Sequence, residues 1–208
     1  MAPARCLPMF PLGTVLVPSA HLPLHIFELR YRALAQDCLA GDREFGVVLI
    51  ERGSEVGGGD VRFGVGTVAR IIQAVELPDG RWLLDSVGTE RFRVQRWLED
   101  DPYPRAEVER LAEEPTGPGA GDLRGDVERL LRHVLALQVE LGFPAPAATI
   151  ELDDDPAVAA YQAAVLSPLG PMDTQRLLEE PGAEGRLRLL AELLDDARDL
   201  LARRMSEG

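Results

Sequence analysis

Pro8 Met9 Phe10 Pro11 Leu12 and, after a gap, Leu22 Pro23 Leu24 His25 Ile26 Phe27 Glu28 Leu29 Arg30 Tyr31 Arg32 set the frame for the whole chain. Cys6 to Leu12 is a short apolar run bounded by proline, as a strand would be. Phe27 and Glu28 lead into a helix over Glu28 to Ala40, with Leu29, Leu34, Cys38 and Leu39 at near-helical spacing and Gly41 as its stop. Phe45 to Ile50 is a second apolar run, so a strand, a helix and a strand are expected. Val17 to Pro23, between the first strand and the helix, reads as a loop because it holds Pro18 and Pro23.

Beyond this opening the pattern turns to β-branched alternation. Gly64 to Val75 reads as a strand with both faces partly apolar, and Pro78 Asp79 Gly80 is a turn signal before Trp82 to Asp85. Arg91 to Leu98 alternates, with Phe92, Val94 and Leu98 on one side and Arg91, Arg93, Gln95 and Trp97 on the other; Ala106 to Leu111 adds one more strand. Gly57 Gly58 Gly59 reads as a hairpin tip. Six or so short strands with one helix tucked against them predict a curled antiparallel sheet or small pseudo-barrel over residues 1–112.

Composition changes at Glu113. The Pro- and Gly-rich stretch 113–121 reads as a flexible connector, and 122–208 as a second, all-helical lobe. Asp122 is placed to cap a helix carrying Leu123, Val127, Leu130, Leu131, Val134, Leu137 and Leu141, closed by Gly142 and Pro144. Asp155 before Pro156 starts another that Pro168 stops, and Asp173 to Glu180 and Leu187 to Leu201 complete a helical bundle. The fold class expected is therefore α+β, a β-rich lobe followed by a helical one.

Charge and composition narrow the function. All 22 basic residues of the 208 are Arg, so a phosphate-binding loop that needs lysine, or a Ser-Lys protease dyad, has no place here. The net charge is −13, of which residues 1 to 111 carry −3 and residues 112 to 208 carry −10; such a field repels phosphate backbones and makes nucleic acid an unfavourable partner. No apolar run approaches the roughly 18 to 20 residues of a membrane span, and Pro3, Pro8 and Pro11 interrupt the N-terminal one, so a cytoplasmic protein is expected. Cys6 and Cys38 lack any CxxC spacing and are read as buried free thiols.

Motifs that could carry chemistry fail on their context. His21 and His25 have the spacing of a helical zinc pair, but Pro23 between them breaks a helix. Gly64 Val65 Gly66 imitates a dinucleotide fingerprint, yet a strand follows where a helix N-terminus is required. None of the serines sits in G-x-S-x-G, and Glu151, Asp153, Asp154 and Asp155 lack the glycine of a calcium loop. No cofactor or metal is called for.

In order and register, the opening block, Phe45 Gly46 Val47 Val48, Gly66 Thr67 Val68 Ala69 Arg70 Ile71, Asp79 Gly80 Arg81, Gly88 Thr89 Glu90 Arg91 Phe92 Arg93, and then Gln175 Arg176 Leu177 Leu178 with Arg186 Leu187 resemble the amino-terminal, substrate-binding domain of bacterial-type Lon proteases. His25, where that family often has Arg, and the 113–121 connector depart from it. The resemblance implies a PUA-like β pseudo-barrel plus helical lobe, free-standing because the chain ends at Gly208, with no ATPase or peptidase part of its own. It implies a non-catalytic binder of unfolded or degron-bearing proteins, linked to a separate protease or ATPase as adaptor or holdase, with self-association open.

For the binding surface the residues singled out are Val17, Pro18, Leu22 and Pro23, on a loop expected to expose apolar side chains, with Trp97 and Tyr103 as aromatic area beside positive charge. The competing reading is that Leu22 and Trp97 only seal the junction of sheet and bundle. A small-molecule or RNA-binding PUA-like domain is the alternative function, although Trp82 and Trp97 are too few for the three-Trp cage of the cereblon relatives. A hydrolase using His133 or His25 comes third.

Overall fold

The computed structural model describes residues 5–52 and 61–207; the glycine tip at 57–59 and Pro3 lie outside the described residues. The described residues form six strands and five helices in an α+β arrangement: β1 (Arg5–Leu12), β2 (His21–Ile26), α1 (Leu29–Ala40), β3 (Glu44–Arg52), β4 (Val61–Glu76), β5 (Trp82–Trp97), β6 (Arg105–Arg110), α2 (Ala120–Glu140), α3 (Pro156–Leu166), α4 (Pro171–Glu179) and α5 (Ala183–Glu207). The chain divides into two compact units, Met1–Ala112 and Glu113–Gly208, each with its own core. No helix among the described residues is long and apolar enough to cross a membrane.

In the first unit the sheet runs β2-β5-β4-β3-β1-β6, and β6 pairs with β5 as well as with β1. Five strands therefore close on themselves, and β2 is left as a sixth strand that, among the described residues, pairs with β5 alone. The sheet is mixed, which corrects the expectation of an antiparallel one: β1 and β3 run parallel, because β2 and α1 between them carry the chain back to the end at which β1 began. The two strand segments expected at Trp82 and Arg91 are one strand of 16 residues, β5, long enough to pair β2 with one half and β6 with the other.

Alternation along the strands sorts two cores. Leu7, Met9, Val48, Val68, Phe92, Ala106 and Val108 fill the barrel. On the opposite face, Phe10, Leu12, Phe45, Val47, Ala69 and Ile71 pack on Tyr31, Leu34, Ala35 and Cys38 of α1. Both faces of β1, β3 and β4 are thus apolar because both are covered. Leu29, expected on the buried stripe of α1, is instead 77% exposed.

Closure needs two glycines. A Cβ on Gly66 would lie 2.2 Å from the Val47 carbonyl oxygen and 2.7 Å from the Phe92 ring, and one on Gly46 would lie 2.6 Å from the Met9 sulfur and 2.9 Å from the same ring. Only hydrogen fits there. At the rim, the Thr67 hydroxyl donates to the Leu16 carbonyl at 2.6 Å, fixing the connection between β1 and β2, and Gly80 takes a φ of 78° in the β4–β5 turn. Glu44 of β3 accepts hydrogen bonds from Arg70 of β4 and is ion-paired with Arg5 of β1 at 2.6 Å.

In the second unit, Val127, Leu131, Val134 and Leu135 of α2 meet Leu187, Leu190, Leu194 and Leu201 of α5 over the alanines of α3. Asp155 caps α3, its carboxylate accepting from the Ala157 amide at 2.9 Å ahead of Pro156. The start of α2 differs from the sequence expectation: Gly119 is its cap and Asp122 stands in its first turn. The expected connector is partly pinned. Glu113 is gripped by both terminal nitrogens of the buried Arg186 at 3.0 and 3.2 Å, and Glu114 pairs with Gly182; main-chain pairing and a buried guanidinium need no apolar side chains from the connector. Arg186 also lies 4.1 Å over the Tyr161 ring and donates to the Leu177 carbonyl.

Three outcomes follow from these contacts. Gly66→Ala forces the barrel apart at a backbone oxygen and costs about 3 kcal/mol, to be read as a lower denaturant midpoint at unchanged slope. Burial works against the charge on Glu44, but hydrogen bonds from Arg70 and Arg5 outweigh it and hold the carboxyl below its ordinary value of 4.5. A lowered folded pKa means its stabilisation is present above that value and is lost as pH falls through the folded one. Acid titration of Tm thus flattens over that window in Glu44→Gln. Burial, and then Asp37, push the Cys38 thiol up to about 12, and its sulfur donates to the Glu44 carbonyl, whereas Cys6, expected to be buried, is exposed. Iodoacetamide at about pH 8 adds one adduct to the native protein, on Cys6, and two after denaturation.

Candidate functional site

Of the segment Val17 to Pro23, expected as an exposed apolar loop, residues 17–20 do form a connection, but residues 21–23 belong to a strand and the apolar Val17 and Leu22 are buried. Residues 21 to 26 are strand β2, paired with β5 from His21 opposite Val87 to Ile26 opposite Trp82. Proline misled the sequence reading here: Pro23 lacks an N–H, but on the outermost strand of a sheet that costs no ladder bond. Val17 is 1% exposed and Leu22 8%, and Leu22 faces α1 with Ile26 and Leu84. Pro18 is half-buried and Pro23 exposed.

Trp97 and Tyr103 also sit otherwise than expected. A bulge between Val94 and Arg96 inserts one residue into β5 and turns Trp97 to the side of Val94, opposite Ala106, where it packs on the barrel core with Arg62 stacked 4.6 Å over its ring. Arg93 and Gln95 stay outside, Gln95 donating to Glu109 at 2.8 Å, while Arg91 is buried. Tyr103 is buried against α1, its hydroxyl donating to Asp37 at 2.7 Å; burial first, and then this carboxylate, raise its pKa out of the ordinary range. It is a brace between the β5–β6 connection and α1.

What the fold does leave exposed runs along the face of β2, β5 and β4 turned away from α1. His25 stands opposite Leu83, and Leu83 opposite Val75, each exposed; Ile72 is exposed at the bulge in β4. The row continues past the end of β2: the Phe27 ring meets the His25 ring edge-on at 6.3 Å and is 56% exposed, and Leu29 follows. These residues came within the quoted opening stretch, but helical spacing assigned Leu29 to the core and Phe27 to a helix start.

Beside that row is a cavity of about 100 Å³. Phe10, Leu12, Leu24, Ile26 and Tyr31 line it, with Phe10 stacked on Tyr31 at a centroid distance of 4.1 Å; the exposed His25 and Phe27 also line it, as does Glu28, whose carboxylate accepts from Arg30 at 3.1 Å. A second, polar depression in the helical unit is held by its own hydrogen bonds and ion pairs: Arg124 donates to the Leu152 and Asp153 carbonyls and pairs with Asp154, and Arg132 donates to the Ile150 carbonyl and pairs with Glu128. His133 is exposed on α2, and His21 pairs with Asp85 at 3.4 Å. The described residues hold no group of three or more His, Cys, Asp or Glu placed to bind a metal.

Residues 6–196 match the family described as ATP-dependent protease La (LON) substrate-binding domain. Lon protease 2 of Myxococcus xanthus is 30% identical over 205 residues, covering 95% of this chain and 24% of the relative. Lon protease 2 of Herpetosiphon aurantiacus is 31% identical, with 94% and 24% covered. The chain thus spans about a quarter of the length of these curated relatives. Among solved structures, a Lon N-terminal domain protein from Xanthomonas campestris superimposes with a TM-score of 0.65 at 32% identity, covering 89% of this chain and 96% of the other. The N-terminal domain of Mycobacterium avium complex Lon protease gives 0.69 at 19% identity, covering 92% and 99%, a likeness of fold. With the family profile matched across nearly its whole length, the chain belongs to the Lon substrate-binding domain family.

Proposed function

We propose that this chain is a non-catalytic polypeptide-binding module that holds exposed apolar segments of unfolded or degron-bearing client proteins, in the cytoplasm, and passes them to, or keeps them from, a proteolytic machine. The observation that carries this reading is an exposed row in which Val75 stands opposite Leu83, Leu83 opposite His25, and the His25 ring meets Phe27, with Leu29 two residues further along the chain; Phe27 and Leu29 are each more than half open to water. Scattered apolar side chains on a surface need no explanation, but a continuous row does. Removing such side chains from water is favourable and non-directional, so a row of them takes many sequences, as a client surface must. Of the residues singled out from sequence, Pro23 lies on the strand beside this row, Pro18 is half-buried ahead of β2, Val17, Leu22 and Tyr103 are buried, and Trp97 packs on the barrel core. We read the barrel beneath it as PUA-like and the four helices of the second unit as a bundle.

The test is capture of a permanently unfolded protein, reduced and carboxymethylated α-lactalbumin, by the full chain. Burial of a Phe or Leu side chain contributes about 1.5 to 3 kcal/mol. Phe27→Asp with Leu29→Asp therefore weakens capture at least about tenfold. Both positions are exposed enough that Tm stays within a degree or two of its starting value, roughly what surface changes do. Leu22→Asp cannot serve, since it puts a carboxylate into the α1 core and unfolds the unit. Equal capture by the wild type and the folded double variant would remove the row from the binding surface, and no capture by either would remove the function.

A further inference from the structure

We infer that the captured segment adds to β2 as a further strand, over the second half of β2 only, and seats one branched aliphatic side chain in the adjoining cavity. This rests on the reading of the chain as a polypeptide binder and states how the polypeptide is held.

Strand β2 is the last in the sheet order and has β5 on one side. Hydrogen-bonded and non-bonded pairs alternate along an antiparallel ladder. The Gly88 amide donates to the Ala20 carbonyl at 2.9 Å, and Ala20 continues the register in which His21 faces Val87. The alternation therefore points the main chains of Leu22, Leu24 and Ile26 at β5 and those of His21, Pro23 and His25 at the open edge. Pro23 is in the outward phase, where it disturbs nothing inside the sheet but removes a donor from the edge. Proline at an edge is a device against strand addition, and here it closes the first half of β2. His25, two residues on, keeps both its N–H and its carbonyl in the same outward phase.

The cavity begins where the proline block ends. Its wall includes Leu24 and Ile26, the residues on either side of His25, with Phe10, Leu12 and Tyr31 behind them. An extended segment paired with His25 thus passes the cavity mouth. An apolar cavity of about 150 Å³ accepts a benzene ring, so one of about 100 Å³ suits Leu, Ile or Val better than Phe. Strand addition supplies affinity through the main chain and specificity through such a pocket. Residues 1 to 111, which hold this site, carry a net charge of −3, so a neutral or basic occupant is favoured over an acidic one.

Fluorescein-labelled nine-residue peptides of Ser, Thr and Arg with a single central Leu, Phe or Ala test this by anisotropy with the full chain. The Leu peptide binds tightest, and Ala in its place weakens binding at least about tenfold. N-methylation at two adjacent amides, one per peptide, weakens only one of the pair by about tenfold, because a paired strand offers alternate amides to its neighbour. His25→Pro, which repeats the tolerated chemistry of Pro23 in the same phase, loses at least about tenfold more than His25→Ala, with unchanged circular dichroism. Equal binding of the Leu and Ala peptides, equal effects of the two N-methylations, or equal losses in the two His25 variants would each overturn the inference. If unfolded α-lactalbumin still binds in a Phe27-dependent way, strand addition alone has failed; if it does not bind, the function beneath has failed too.

Discussion

The ring of Phe92 lies across Gly46 and Gly66, and the first unit is organised around that contact. With no side chain at these two positions of neighbouring strands, the Phe92 ring fits against β3 and β4, β5 reaches β6, and five strands close. Closure removes the edges of those five strands and leaves β2 outside the ring with a single neighbour. The open strand, the exposed row beside it and the cavity at its end are all consequences of where the barrel shuts.

A second consequence is the placing of α1. Because the barrel interior is filled by its own side chains, α1 packs on the outside of β1, β3 and β4, and β2 curls over it with Leu22 and Ile26 turned inward. The face of β2 and β5 turned away from α1 is then left to water. Tyr103 and Asp37, and Arg70, Glu44 and Arg5, hold the rim on which this arrangement rests with hydrogen bonds between elements distant in sequence.

The helical unit was the more legible of the two. A 3.6-residue apolar period, Asp155 before Pro156 and the left-handed Gly142 after α2 are local signals, and local signals suffice for helices whose cores are built from one stripe each. The strands were less legible where long-range pairing overrides local preference. Pro23 spoke for a loop and is tolerated in β2 because no described strand pairs on its outer side. Gln95 gave no sign of the bulge that carries Trp97 to the barrel face, since a bulge is set by the partner strand as much as by its own residues.

By itself the sequence determined the α+β class, the division of character near Glu113, the absence of lysine-dependent chemistry and the importance of the Leu22 to Leu29 stretch. Composition and periodicity are properties of the chain, and they are readable without knowing its neighbours. Only the tertiary structure decided which residues of that stretch face water. Exposure belongs to a surface, and whether Leu22 or Phe27 lies on it depends on α1, β5 and the closed barrel, elements drawn from as far along the chain as residue 110.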